Sequence, residues 1–277
     1  MTDDLLYLEA TDGQLSATLV LDSAMNYALA HNGISPLKEL ILRNDSDEPV
    51  RGLRLEVELT APVAGRVATP LLLDLPEIDH HDQRSFTMRA PWAFDAATFA
   101  QLDEAVMASV HARFYDSTRT LRAEGSLRLL ARDEWWAESI KESLAAFVTP
   151  RARAIQDLLG EASDLLGQRT GSPSMEGYQG GADRAMKIAN AIYDAMVARG
   201  IRYINPPPSF EGTGQKIREP REVLVDRWGT CLDLATTYAG ALELAGLNPV
   251  LVLCSNHAFA GHLLDEQQLP ERVLTDS

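Results

Sequence analysis

The chain has 277 residues, of which 45% are hydrophobic and 23% charged, which excludes a wholly disordered or fibrous protein and allows a sizeable core. Its 40 acidic residues outnumber 25 basic ones, and a net charge of −15 at pH 7 disfavours binding to nucleic-acid phosphates. Two cysteines are too few for a disulfide scaffold and are typical of a reducing compartment.

The beginning of the chain predicts a cytoplasmic protein. Asp3 and Asp4 make it acidic, and it lacks the basic and apolar regions of a signal peptide. No stretch reaches the ~18 consecutive apolar residues of a membrane span. We therefore expect cytoplasmic localisation and no membrane partner.

Residues 1–132 have the pattern of short β-strands separated by turns. Residues 53–59 alternate strictly between leucine or valine on one face and charged side chains on the other. Strand patterns also occur at 15–21, 36–43, 85–88, 109–115 and 121–130, and residues 97–105 favour a short helix. Strands at this spacing are typical of an immunoglobulin-like β-sandwich.

Helical spacing of apolar residues begins at Asp133 and continues to Gly167, with Pro150 dividing two helices. A Gly- and Ser-rich loop follows, and another helix is predicted from Ala182 to Ala198, with Gly200 just past its end. The sequence thus predicts an α+β protein with three parts: a β-sandwich domain (1–132), a helical connector (133–170) and a cysteine domain (171–277).

The segment with the clearest chemical pattern surrounds Cys231. Thr230 and Asp233 have the spacing of a capping box, which makes Thr230 the N-cap and Cys231 the first residue of a helix that ends near Gly246. A cysteine at a helix N-terminus lies at the positive end of the helix dipole, which favours the nucleophilic thiolate. Free backbone N–H groups at the same place can stabilise an oxyanion.

The order of the residues after this helix predicts a catalytic triad. An apolar strand at 249–254 is followed by His257 at the start of a second strand, and Asp276 lies in a third strand-like run. A thiol, an imidazole and a carboxylate in this arrangement perform acyl transfer. Asn256 or a water molecule is the alternative to Asp276 as the group that orients His257.

Residues 229–235 together with His257, Ala258 and Phe259 resemble the transglutaminase-like, papain-related core. Residues 135–276 are more narrowly similar to the N-terminal region of large bacterial helicase-like proteins of the phage-defence type, through phrases at 134–135, 144–148, 177–179, 207–211 and 214–218. The resemblance implies the triad Cys231, His257 and Asp276. It also implies a chain that continues into a motor domain, so we expect a fragment or a stand-alone variant.

Each candidate residue also has a structural interpretation. Free cysteines are often buried hydrophobes, so Cys231 could be one, and Cys254 in an apolar run is expected in the core. Gln215 is a candidate oxyanion donor and Trp228 a candidate wall of the cleft, although either could simply pack or hydrogen-bond in place. Asp276 could be a frayed terminal residue.

Metal and cofactor binding are not predicted. Cys254, His257 and His262 include metal-binding residue types, but two histidines five residues apart on one strand face opposite sides. For the same reason only one histidine can meet Cys231, and His262 is expected to be structural. The sequence has no phosphate-binding glycine loop.

The sequence therefore predicts a cysteine acyl-transfer enzyme, a protease, deamidase or amidase, whose substrate is a protein or peptide amide. The alternative is a non-catalytic interaction module of a larger helicase-like ATPase, with further domains or subunits as partners. Reactivity of the Cys231 thiol separates the two, because an interaction module does not need an activated, accessible nucleophile.

Overall fold

A computed structural model describes residues 4–62, 65–88, 90–136, 141–205, 214–255 and 257–267. The chain forms two compact units, residues 1–139 and 140–277. It is a mixed α+β protein with mainly antiparallel sheets, in agreement with the predicted class. None of the helices in the described residues is long and apolar enough to cross a membrane.

The first unit contains most of the strands. In the described residues they are β1 (Leu5–Thr11), β2 (Leu15–Asp22), β3 (Ala24–Met25), β4 (Leu37–Asn44), β5 (Arg54–Ala61), β6 (Gly65–Arg66), β7 (Leu71–Asp74), β8 (Asp82–Thr87), β9 (Val106–Tyr115), β10 (Thr120–Leu129) and β11 (Glu134–Trp135), with the short helices α1 (Tyr27–His31) and α2 (Ala96–Ala100). One sheet has the order β1-β2-β4-β8. The other has the order β3-β10-β9-β5-β6, with β7 also paired to β5.

The alternation of apolar and charged residues in the sequence corresponds to an alternation of buried and more exposed side chains along β5. Leu55, Val57 and Leu59 of β5 are buried, whereas Glu56 and Glu58 between them are partly exposed. The two sheets meet where β1 lies against β10, and a side chain at Gly125 would collide with Leu8. A glycine at this position lets the two strands approach each other closely.

The second unit contains α3 (Arg153–Thr170), α4 (Gly181–Ala198), α5 (Pro220–Asp226) and α6 (Cys231–Leu244), with short 3₁₀ turns at Lys141–Phe147 and Gly177–Gly180. Its described strands are β12 (Arg202–Tyr203), β13 (Gln215–Lys216), β14 (Trp228–Gly229), β15 (Pro249–Leu253) and β16 (Ala258–His262). The apolar faces of α3, α4 and α6 bury one common core, so α3 packs with the helices that follow it. The predicted domain boundaries at residues 132 and 170 stay a prediction.

Two strand pairs lie next to α6 in the fold. The parallel pairing of β12 with β14 joins Arg202 to Trp228 and Tyr203 to Gly229, immediately before α6. The antiparallel hairpin of β15 and β16 follows α6 in the sequence and packs against that helix.

The open end of this hairpin is anchored by Tyr178. Its hydroxyl accepts a hydrogen bond from the N–H of Asn248 at 3.0 Å and donates to the carbonyl of Leu263 at 2.7 Å. The neighbouring Gly177 has a φ of 57°, and a Cβ there would lie 2.8 Å from the carbonyl oxygen of Gly246. A glycine is therefore required for this close approach.

Candidate functional site

The N-terminus of α6 is closed by a reciprocal capping box. Thr230 Oγ1 accepts a hydrogen bond from the N–H of Asp233 at 3.4 Å, and Asp233 Oδ2 accepts one from the N–H of Thr230 at 2.8 Å. Cys231 is consequently the first helical residue, and it is half-buried. No described residue accepts a hydrogen bond from the N–H groups of Cys231 and Leu232. Such donors at a helix N-terminus can bind an anion or a developing oxyanion.

Asp233 is fully buried, and its charge is balanced by Arg218. The backbone N–H of Arg218 donates to Asp233 Oδ1 at 2.8 Å, and its Nη1 donates to Oδ2 at 2.9 Å. The guanidinium of Arg218 in turn stacks on the indole of Trp228, 3.8 Å from the ring centroid. Trp228, a candidate wall of the cleft, is therefore the packing surface for the residue that neutralises Asp233.

The predicted oxyanion candidate, Gln215, also lies at the cap. Its Nε2 donates to Thr230 Oγ1 at 3.4 Å. Gly229 comes close to the same turn, since a Cβ at this position would lie 3.2 Å from the Cβ of Asp233. The structure thus brings Gln215, Trp228, Thr230 and Asp233 together around the start of α6.

Tyr203 is a member of this site that the sequence analysis missed. The pairing of β12 with β14 places its backbone beside Gly229, and the N–H of Ile204 donates to the carbonyl of Gly229 at 3.0 Å. Burial raises the pKa of the Tyr203 phenol, and the nearby Cys231 thiol raises it further. A pairing of only two residues leaves no sequence pattern by which this contact could have been found.

His257 lies in the turn between β15 and β16, where its side chain is exposed. Its carbonyl accepts a hydrogen bond from the N–H of Cys254 at 2.8 Å, which closes the hairpin. The hairpin packs against α6, but in the described residues no hydrogen bond joins the Cys231 thiol to the His257 imidazole. Asp276 and Asn256 lie outside the described residues, and the triad stays a prediction.

The remaining cysteine and histidine have structural surroundings. His262 is half-buried, and its Nδ1 lies 2.7 Å from the carbonyl of Leu263. The expectation that Cys254 is a core residue is wrong. Cys254 is exposed, because β15 ends at Leu253 and the chain turns there. Within the described ranges, no three histidine, cysteine, aspartate or glutamate side chains are placed to hold a metal ion.

No family model matches the chain, and no curated protein matches it. Solved structures show weak similarity. β-Glucuronidase 2 of Bacteroides uniformis has a TM-score of 0.26 and 12% identity over 48% of this chain and 13% of the enzyme chain. A candidate protease of Parabacteroides distasonis has a TM-score of 0.27 and 10% identity over 91% of this chain and 61% of that one. This chain thus spans less than two thirds of either protein, and such TM-scores do not identify a shared fold.

Proposed function

We propose that the second unit is a transglutaminase-like, papain-related domain that transfers the acyl group of a protein or peptide amide, as a protease, deamidase or amidase. In this proposal the first unit is an immunoglobulin-like β-sandwich. The supporting observation is the setting of Cys231, a half-buried thiol at the first position of a capped helix, where no described residue accepts a hydrogen bond from the N–H groups of Cys231 and Leu232.

In the proposed reaction Cys231 Sγ attacks the amide carbonyl carbon. The sulfur–carbon bond forms as the carbonyl π electrons move to the oxygen, which the N–H groups of Cys231 and Leu232 stabilise. His257 takes the thiol proton and returns it to the leaving amine, so that the carbon–nitrogen bond breaks and a thioester remains. Attack by water, deprotonated by His257, releases the acid and restores the thiol. Asp276 orients the imidazole and stabilises its charged form.

The spacing of the elements supports the assignment of His257 as the base. Cys231 begins α6, and His257 precedes β16, one of the two strands that pack against that helix. The imidazole is exposed at the hairpin turn and can change rotamer without unfolding the sheet. We expect the Cys231–His257 hydrogen bond to form when substrate binds, because catalytic hydrogen bonds are often long or poorly aligned in substrate-free enzymes.

The test is release of ammonia or of peptide fragments from unfolded protein substrates, together with trapping of the thioester by hydroxylamine. We expect activity in the natural chain and its loss in Cys231→Ala and His257→Ala. Cys254→Ala, which removes the other thiol, is the matched control and retains activity. Asp276→Asn retains more activity than His257→Ala, because it loses orientation rather than the base. Equal activity of Cys231→Ala and the natural chain would contradict the proposal.

One observation favours the second candidate, a non-catalytic interaction module. The side chain of Phe259 is 47% exposed on the face of the hairpin opposite Ala258, which is buried. Such a face could bind a further domain of a helicase-like assembly. In that case Phe259→Ser abolishes assembly, whereas Cys231→Ala leaves every measured property unchanged.

A further inference from the structure

We propose that the exposed face of β5, β9 and β10 binds a small zwitterion, an ω-amino carboxylate whose carboxylate lies on Arg113 and Arg122 and whose ammonium lies on Glu124. The site uses residues of the first unit alone, so it does not depend on the function proposed for Cys231. These strands form a surface depression of about 320 Å³. That volume is at the lower end of the range of small-molecule sites, ~300–1,000 Å³.

Cross-strand pairing arranges the charged residues of this face in two rows of direct neighbours, all of which line the depression. The first row is Glu56, Arg113 and Arg122, and the second is Glu58, His111 and Glu124. The rows are two residues apart along each strand, which corresponds to about 7 Å. The first row holds both arginines, and the second holds two of the three carboxylates.

The positive end of the depression has one charge that no described residue balances. Arg113 donates from Nε to Glu56 Oε2 at 2.9 Å, and its guanidinium stacks on Tyr115, 4.6 Å from the ring centroid. Arg122 lies directly opposite on β10 and forms neither a hydrogen bond nor an ion pair within the described ranges. Like charges in this position repel each other. A carboxylate bound between the two arginines removes the repulsion and accepts hydrogen bonds from both.

The negative end of the depression is Glu124, two residues after Arg122 on the same face of β10. Its partner is His111, whose Nδ1 lies 3.4 Å from Glu124 Oε1, and the Glu124 side chain is 72% exposed. The other carboxylate of this row, Glu58, accepts from Arg66 Nη2 at 3.1 Å and so has a counter-charge already. Glu124 is therefore the carboxylate that is open to an ammonium group.

The distance between the two ends selects the ligand. A carboxylate on Arg122 and an ammonium on Glu124 are separated by about 7 Å, the length of two strand residues. The probe 6-aminohexanoate, in which five methylene groups separate the charges, spans a similar distance when extended. A phosphate group fits less well, because the three carboxylates of the depression repel a second negative charge.

The experiment is an NMR titration of the full chain at about pH 8, at which amines are charged and imidazoles ordinarily neutral. The probes are 6-aminohexanoate, hexanoate and hexylamine. We expect 6-aminohexanoate to shift the amide signals of β9 and β10 and to bind at least roughly tenfold more tightly than either singly charged probe. Arg122→Gln and Glu124→Gln should each weaken its binding by a similar factor. The matched control is Arg43→Gln, at an exposed arginine on β4 in the other sheet, which should leave binding unchanged.

Equal affinity of 6-aminohexanoate for the natural chain and for Arg122→Gln would overturn the proposal, as would the absence of binding to the natural chain. Equal affinities of hexanoate and 6-aminohexanoate would also overturn it, because the depression would then recognise an anion alone. Arg122 and Glu124 are exposed, so both variants should fold. Unchanged amide signals outside β9 and β10 verify this in the same spectra.

Discussion

Arg218 binds Asp233 through both its backbone and its guanidinium, with hydrogen bonds of 2.8 and 2.9 Å to the two carboxylate oxygens. Asp233 can therefore cap α6 through the N–H of Thr230 while remaining fully buried. Without Arg218, the carboxylate would place an uncompensated negative charge two residues from Cys231. That charge would oppose formation of the thiolate. We therefore expect this one ion pair to affect both the cap of α6 and the reactivity of the Cys231 thiol.

Loss of this ion pair should both destabilise the second unit and reduce the reactivity of its thiol. For Arg218→Gln we expect a decrease of about 3 kcal/mol in the free energy of unfolding, because a buried carboxylate loses its counter-charge. Alkylation of Cys231 at neutral pH should also slow. Denaturant unfolding and peptide-level mass spectrometry measure the two effects. Arg221→Gln, at an exposed position on α5, is the control and should change neither.

Thr230, the N-cap of α6, is a second position at which a substitution should lower the free energy of unfolding. Thr230→Ala removes the hydroxyl that accepts from the N–H of Asp233, and we expect a loss of about 1 kcal/mol in the free energy of unfolding. Thr230→Ser keeps the acceptor and should lose much less. Equal destabilisation by the two substitutions, measured by urea titration, would show that the cap hydrogen bond contributes little.

The alkylation rates of Cys231 and Cys254 show whether activation of a thiol or its exposure to solvent decides how fast it reacts. Cys254 is exposed and Cys231 half-buried, so accessibility alone would make Cys254 react faster. We expect the reverse near neutral pH, because Cys231 begins α6 and a cysteine at a helix N-terminus lies at the positive end of the helix dipole. His257→Ala should slow the reaction of Cys231 and leave that of Cys254 nearly unchanged. Faster labelling of Cys254 in the folded chain would reject an activated nucleophile.

Because Tyr238 in α6 is largely buried, the free energy of unfolding should decrease in alkali. Burial raises its pKa to about 12, with smaller effects from Tyr193 and Asp194, and its hydroxyl donates to the carbonyl of Ala189 at 3.1 Å. Because the folded pKa lies above the unfolded value of about 10, stability is complete below about pH 10 and falls as the pH rises to about 12. The loss should be about 2 kcal/mol.

The comparison for this prediction is Tyr238→Phe, which cannot ionise. It should be less stable than the natural chain at neutral pH, because the hydrogen bond to Ala189 is lost. The difference between the two should shrink between about pH 10 and 12, as followed by denaturant unfolding at fixed pH. A difference that stays constant across this range would contradict the raised pKa.

Local interactions account for the parts of the fold and site that could be read from the sequence. The start of α6 depends on two hydrogen bonds between Thr230 and Asp233, three residues apart. The buried faces of β5 and α4 depend on the repeat of apolar residues along one strand or one helix. Gly200, with a φ of 66°, likewise ends α4 by a conformation that glycine adopts without strain.

Contacts between distant segments required the folded chain. Tyr203 lies beside Gly229, two residues before Cys231, because two residues of β12 pair with two of β14, a length too short to produce any periodic pattern. Arg218 reaches Asp233 although α5 and β14 separate them in the sequence, and Cys254 is exposed because the hairpin turns one residue after Leu253. Periodicity and capping specify how each segment folds. The partners of a buried charge or of a half-buried thiol are set by which segments pack side by side, and that information is distributed over the whole core.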